Sequence, residues 1–167
     1  TTLTPPPGPI SAAILDLPHA EGEGADHRPY VAATAQPWPG AAAVYRSADA
    51  SAFELVAELR AAARMGHLLE PLPPGLPDLW QRVRFEVRLP TGSLLSRDRL
   101  AVLAGANALA VEALPGQWEI LLARDAELVG TNRLRLGRLL RGRRGTGGLA
   151  AQPIPEGARI VVLDEAL

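Results

Sequence analysis

Residues 118–148, WEILLARDAELVGTNRLRLGRLLRGRRGTGG, constrain the fold of this chain more than any other stretch. Two apolar runs, 118–123 and 134–140, flank Gly130-Thr131-Asn132, and glycine and asparagine tolerate the positive φ of a tight reversal. The stretch therefore reads as a β-hairpin. In its second arm Arg133, Arg135 and, after a slip at Gly137, Arg138 and Arg141 alternate with leucines. Strand side chains alternate between faces, so one face can pack while the other carries guanidinium groups. The arm ends in RGRRGTGG, too rich in glycine to continue a strand and not followed by a convincing helix.

The remaining segments are short and punctuated. Residues 30–35 and 41–46 read as strands separated by Pro37-Trp38-Pro39-Gly40, with Trp38 expected to plug a corner of the core. Residues 53–69 have helix-forming composition, but a sheet context overrides propensity, and two strands broken at Gly66 are expected. Residues 81–89 alternate most regularly: Val83, Phe85, Val87 and Leu89 on one side, Arg82, Arg84, Glu86 and Arg88 on the other. Pro90-Thr91-Gly92-Ser93 then predicts a second hairpin into Leu94-Leu95. Residues 101–111 read as a small strand, a turn at Gly105-Ala106-Asn107 and a return, with a helix over 98–109 as the alternative. The continuous apolar run 159–163 suits a strand covered on both faces. Some ten short strands between Pro/Gly turns predict an all-β fold, a mainly antiparallel sandwich or barrel with little helix. Residues 1–28 read as a proline-rich linker or extended docking segment, in which 10–17 alone is apolar enough to pair or dock, and 29–167 as the β-rich domain. Starting at threonine, the chain is expected to be a portion or processed form of something longer.

A net charge of −1 gives no overall drive onto nucleic acid or an anionic membrane. With no cysteine, disulfides, thiolate catalysis and Cys-ligated zinc are excluded. No apolar run approaches the ~20 residues of a membrane helix, so no stable membrane anchor is expected. His19 and His27 lie near Glu21, Glu23 and Asp26, but without the short rigid spacing of a zinc site; a solvated loop is the preferred reading. There is no Gly-x-Ser-x-Gly elbow and, without lysine, no phosphate loop ending in Lys-Ser or Lys-Thr. The carboxylates Glu112, Glu119, Asp125, Glu127, Asp164 and Glu165 fall mostly at alternating or turn positions, where ordinary surface is expected. No catalytic, cofactor-binding or metal site is expected.

The sharpest local feature is the set Arg133, Arg135, Arg138, Arg141, Arg143 and Arg144, with Arg124 across the hairpin. Two readings stay open: a solvated face paired with Asp125 and Glu127, or a contact to DNA or an acidic partner. So few aromatics do not support single-strand base stacking.

The same stretch resembles a motif near the C-terminal end of the very large tail-tip (baseplate hub) proteins of tailed phages and gene transfer agents. Residues 118–121, 126–129 and 136–146 follow that motif in order and spacing. Residues 37–40 with 44–47, 96–107 and 157–165 fit the same family. The resemblance implies a structural component rather than an enzyme, with any hydrolase-like barrel elsewhere in the parent chain. It implies a homotrimer in a baseplate, touching other tail and fibre proteins and the recipient-cell surface, with transient DNA passage. The location implied is the tail tip of a virion-like particle, assembled in the cytoplasm and released. It also marks Trp38, Trp118, Arg141, Gly142, Gly145 and Thr146 as structural motif residues, with the Arg141 guanidinium tying strand end to turn through backbone carbonyls. A carbohydrate-binding β-domain recognising surface polysaccharide is the alternative from another class, and it requires exposed aromatics on one face. A peptidoglycan-cleaving domain is disfavoured by the missing metal and nucleophile patterns.

Overall fold

The computed structural model describes residues 5–18, 28–164 and 167. Ten strands and two short helices follow one another among the described residues. They are β1 Ser11–Leu15, β2 Tyr30–Thr34, β3 Ala42–Arg46, β4 Glu54–Leu59, β5 Met65–Leu68, β6 Trp80–Arg88, α1 Arg99–Leu103, β7 Ala108–Leu114, β8 Gln117–Gly130, β9 Arg133–Arg143, α2 Gly147–Ala150 and β10 Arg159–Val162. Six of them close into an antiparallel barrel in the order β10-β5-β6-β9-β8-β7. The all-β expectation holds, and of its two forms the barrel is the one adopted.

Alternation explains the barrel interior. Phe85, Val87, Leu109, Val111, Leu121, Ala123, Leu134, Leu136, Ile160 and Val162 all point inward and are buried. The outer face is dressed in two places. β1 and β2 form a two-stranded sheet that lays Ala13, Leu15, Leu17 and Ala32 over Met65, Ala110, Trp118, Ile120 and Val161. β10 is thus covered on both faces, as its unbroken apolar run requires. On the other side Val102 of α1 packs over Ala108, Leu122 and Leu140.

The long hairpin β8–β9 turns through Thr131-Asn132, and Asn132 takes the positive φ (55°). The slip at Gly137 is a change of parity shared by both strands. On β9, Leu134 and Leu136 point inward, but beyond the slip Leu139 does. On β8, Leu121 and Ala123 face in before the bend and Ala126 after it. Arg138, at the bend, sits at φ 49°. Opposite it β6 bulges, the pairing stepping from Gln81↔Leu139 to Arg84↔Gly137.

Several local expectations are corrected. Residues 53–69 do form two strands, but the break falls at 60–64, and Gly66 lies inside β5. The turn at 90–93 does not start a hairpin: Leu94 is buried in the barrel cluster without entering a strand. Residues 99–103 are helical because Asp98 caps them, its Oδ1 accepting the Ala101 N–H at 2.9 Å. The glycine-rich run does lead into a single helical turn, α2. Trp38 is only partly buried and belongs to none of the three core clusters. Of the segment 1–28 expected as a linker or docking segment, residues 11–15 form β1, paired with β2, and residues 1–4 and 19–27, with His19 and His27, lie outside the described residues. No helix among those described is long and apolar enough to cross a membrane.

Candidate functional site

Where β8 and β9 run side by side near the hairpin's open end, a buried ion pair fastens them. Glu119 and Arg141 are both fully buried, and Arg141 donates from Nε to Oε1 at 2.6 Å and from Nη2 to Oε2 at 2.7 Å. Such fork-to-fork pairing satisfies two donors and two acceptors at once. Two further hydrogen bonds anchor the pair: Arg141 Nη1 donates to the Pro73 carbonyl at 2.9 Å, and Glu119 Oε1 accepts the Gly142 N–H at 3.0 Å. Thr146 continues the network, its Oγ1 accepting the Ile120 N–H at 3.0 Å and donating to the Arg143 carbonyl at 2.8 Å.

Gly142 makes this close approach feasible. It sits at φ 64°, and a Cβ there would come within 2.8 Å of Gly147 Cα and Pro77 Cβ. Gly145 occupies φ 81° in the turn that returns the chain to α2. On the opposite, outer face of β8 from Glu119, Trp118 is buried under β1 and β2, and the Arg159 guanidinium lies 5.3 Å from its ring centroid, a cation–π contact. Arg141, Gly142, Gly145 and Thr146 are therefore gathered at one strand junction, Trp118 lies on the other face of the same strand, and Trp38 lies apart from both.

Glu119 was expected on ordinary surface; it is instead the acid of this pair. The signal lay in its neighbours, since Glu119 stands inside an apolar run too continuous for a strand with one wet face. Glu112 is also engaged: it pairs with Arg159 and accepts the Gly116 N–H at 3.1 Å. The Arg159 hydrogen bond holds the Glu112 carboxyl below the usual range, the Gly116 N–H helping and burial opposing. Arg133, then Arg135, hold Glu86 low in the same way.

A carboxylate whose folded pKa is depressed stabilises the fold fully above its unfolded pKa, and that contribution is lost as pH falls through the folded value. The urea midpoint should accordingly be flat from neutral pH down to about pH 5 and decline progressively below it. Glu112→Gln should remove part of that acid decline, measured as the slope of midpoint against pH.

The arginines do not form one stripe. Arg133 and Arg135 reach across to Glu86 on β6, and Arg143 pairs with Asp78. Arg141 is internal, and Arg144 is exposed at φ 53°. Arg124 and Arg138 instead join Arg82 and Arg84 of β6 and Arg99 of α1 around a cleft of about 560 Å³, walled by Trp80 and Gln81, with Asp125 as its carboxylate. The sequence placed Arg82 and Arg84 on the polar face of a strand, but only the β6–β9 pairing brings them beside Arg138. Gly137 is what lets them meet: Arg84 Cγ lies 3.1 Å from where a Cβ at 137 would stand. Among the described residues no group of His, Asp and Glu is gathered as a metal centre.

No curated protein matches the chain. The sequence profile of the family described as Rcc01698-like, C-terminal, matches residues 63–161. That span runs from just before β5 into β10 and so takes in the barrel with the Glu119–Arg141 junction. With more than half of its length matched, the chain belongs to the Rcc01698-like C-terminal family.

Proposed function

We propose that this chain is a structural domain of the tail tip, or baseplate hub, of a gene transfer agent or related prophage particle. It acts in assembly, in attachment to and penetration of the recipient envelope, and in gating DNA delivery; it makes and breaks no bond. Its partners are further copies of itself in a threefold hub, neighbouring baseplate and fibre proteins, and the recipient surface. It is assembled in the bacterial cytoplasm and released with the particle.

Beside the family membership and the four motif blocks in order, the observation that carries the reading is the β3–β4 hairpin. Among the described residues its strands pair only with each other. Tyr45, Phe53, Leu55 and Val56 expose between 47% and 65% of their surface. A lone two-stranded hairpin is marginal in water, and clustered exposed apolar side chains mark an interaction surface. A neighbouring subunit in an assembly supplies the cover that this chain's own core does not.

Immunogold microscopy of purified particles, with antibody raised against residues 29–167, tests the placement. Label should fall at the tube end opposite the head, and the double variant Phe53→Asp/Leu55→Asp should melt within a few degrees of the wild type yet be missing from particles. Wild-type antigen confined to the soluble fraction, with exposed baseplates unlabelled, would sink the reading. A carbohydrate-binding domain would use the exposed rings of Tyr45 and Phe53. A hairpin variant that still enters particles but loses polysaccharide binding would favour that second reading.

A further inference from the structure

Elsewhere most arginines are met by carboxylates: Arg46 by Glu54 in the β3–β4 hairpin, and on or beside the barrel Arg64 by Asp164, Arg133 and Arg135 by Glu86, Arg141 by Glu119, Arg143 by Asp78 and Arg159 by Glu112, while Arg88, Arg97 and Arg144 have no ion pair among the described residues. The cleft between β6, α1, β8 and β9 differs in gathering several arginines round one space. Of its five arginines, only Arg138 has an acid, Asp125 at 3.2 Å. Arg82, Arg84, Arg99 and Arg124 have no ion pair or side-chain hydrogen bond among the described residues. Gathering like charges round one space opposes folding. The chain does so although its acids outnumber its bases overall.

The backbone is bent to the same end. Arg138 is held at φ 49°, a conformation unfavourable for a side chain of its size, at the level where β6 bulges. Left-handed strain at a bulge re-aims a side chain, and here it turns Arg138 outward between Leu136 and Leu139, which both point into the barrel. Gly137 leaves the room that Arg84 occupies. Separate features of sequence and backbone thus converge on one cleft.

We infer that this cleft binds a compact ligand carrying two or more neighbouring phosphate groups. A guanidinium presents a planar fork that matches phosphate oxygens in pairs. Two forks can saturate one phosphate, so five arginines call for more than one. The volume, about 560 Å³, suits a small phosphorylated molecule, and the Trp80 wall gives an apolar surface for its sugar or base. A duplex DNA track along the hairpin is disfavoured because along β9 Arg133, Arg135 and Arg143 are already paired with carboxylates. Neighbouring phosphates occur on soluble esters and on phosphorylated sugar headgroups of lipids, and both present the same chemistry. The inference is independent of the tail-tip reading.

Isothermal titration of the full chain with inorganic tripolyphosphate tests it. Wild type should bind saturably, one to one, and more tightly than it binds orthophosphate. Arg84→Gln/Arg124→Gln should weaken binding about tenfold or more, whereas Arg133→Gln/Arg144→Gln, outside the cleft, should change it less than about twofold. The cleft variant should melt no lower than wild type without ligand, because it relieves repulsion, and tripolyphosphate should raise the melting temperature of the wild type and of the outside control but not of the cleft variant.

Absence of saturable binding, equal affinity for orthophosphate, or equal weakening by both variants would overturn the inference. So would tighter binding of a duplex oligonucleotide that depends on Arg133 and Arg144 instead of the cleft. Sedimentation with phosphatidylcholine vesicles doped with a diphosphorylated glucosamine lipid separates the sources. Cleft-dependent cosedimentation assigns the headgroup, and tripolyphosphate binding without it assigns a soluble ester.

Discussion

Glu119→Ala should cost the fold about 3–5 kcal/mol, the range for removing one partner of a buried ion pair. The loss is large because the guanidinium of Arg141 stays behind, fully buried, with the Pro73 carbonyl as its remaining acceptor. The Gly142 N–H loses its acceptor as well. Against a total stability of about 5–15 kcal/mol, this removes a large share. Urea unfolding followed by tryptophan fluorescence reads it directly, since Trp118 is the neighbouring residue.

Glu119→Leu/Arg141→Met should recover much of the loss, because two apolar side chains leave no charge stranded. Glu127→Gln, whose partner contact to Arg135 is an exposed 3.7 Å pair, should cost less than about 1 kcal/mol. A Glu119→Ala cost equally small would mean that water reaches the junction, contrary to its burial.

Gly66→Ala should be comparably damaging, at about 3 kcal/mol or more, the upper end of what overpacking costs. A Cβ at 66 would stand 1.7 Å from the Arg88 carbonyl oxygen and 2.8 Å from its carbon, so backbone has to move. Gly66 lies in β5, opposite Ile160 of β10, and β5 meets β6 over only His67↔Arg88 and Leu68↔Val87. The shortest joint of the barrel is therefore the one that a methyl group would pry apart. Gly148→Ala is the matched control: nothing lies within 4 Å of its Cβ position, it sits in α2, and the change should be neutral or slightly stabilising. If Gly66→Ala unfolded at the wild-type urea midpoint, the closure between β5 and β6 would not be as tight as described.

Much of the barrel was legible because its strands obey a period of two. Residues 81–89 announce which side is core, the unbroken run 159–163 announces a strand covered on both faces, and the Gly130-Thr131-Asn132 reversal fixes the long hairpin. What escaped were features set by partners far away in sequence. Residues 99–103 are helical because Asp98 caps them and Val102 finds a niche over Leu122 and Leu140. Leu94 fills the barrel instead of pairing. Gly66 looked like a chain break, and it is a glycine because another strand's carbonyl lies against it. For the candidate site, Arg124 and Arg138 were visible as one feature of the hairpin. Arg82, Arg84 and Arg99 were not, since nothing in a linear pattern says that β6 and α1 flank that bend.

The barrel closes with β10, which slots between β5 and β7, and both of those strands precede it by roughly fifty residues or more in the chain. During synthesis the sheet must therefore wait, open along two apolar edges, until Val162 has cleared the ribosome. Long-range pairing of that kind is slow, and exposed strand edges recruit strands from other chains. Cellular yield should depend on how quickly the last strand arrives and on what shields those edges meanwhile.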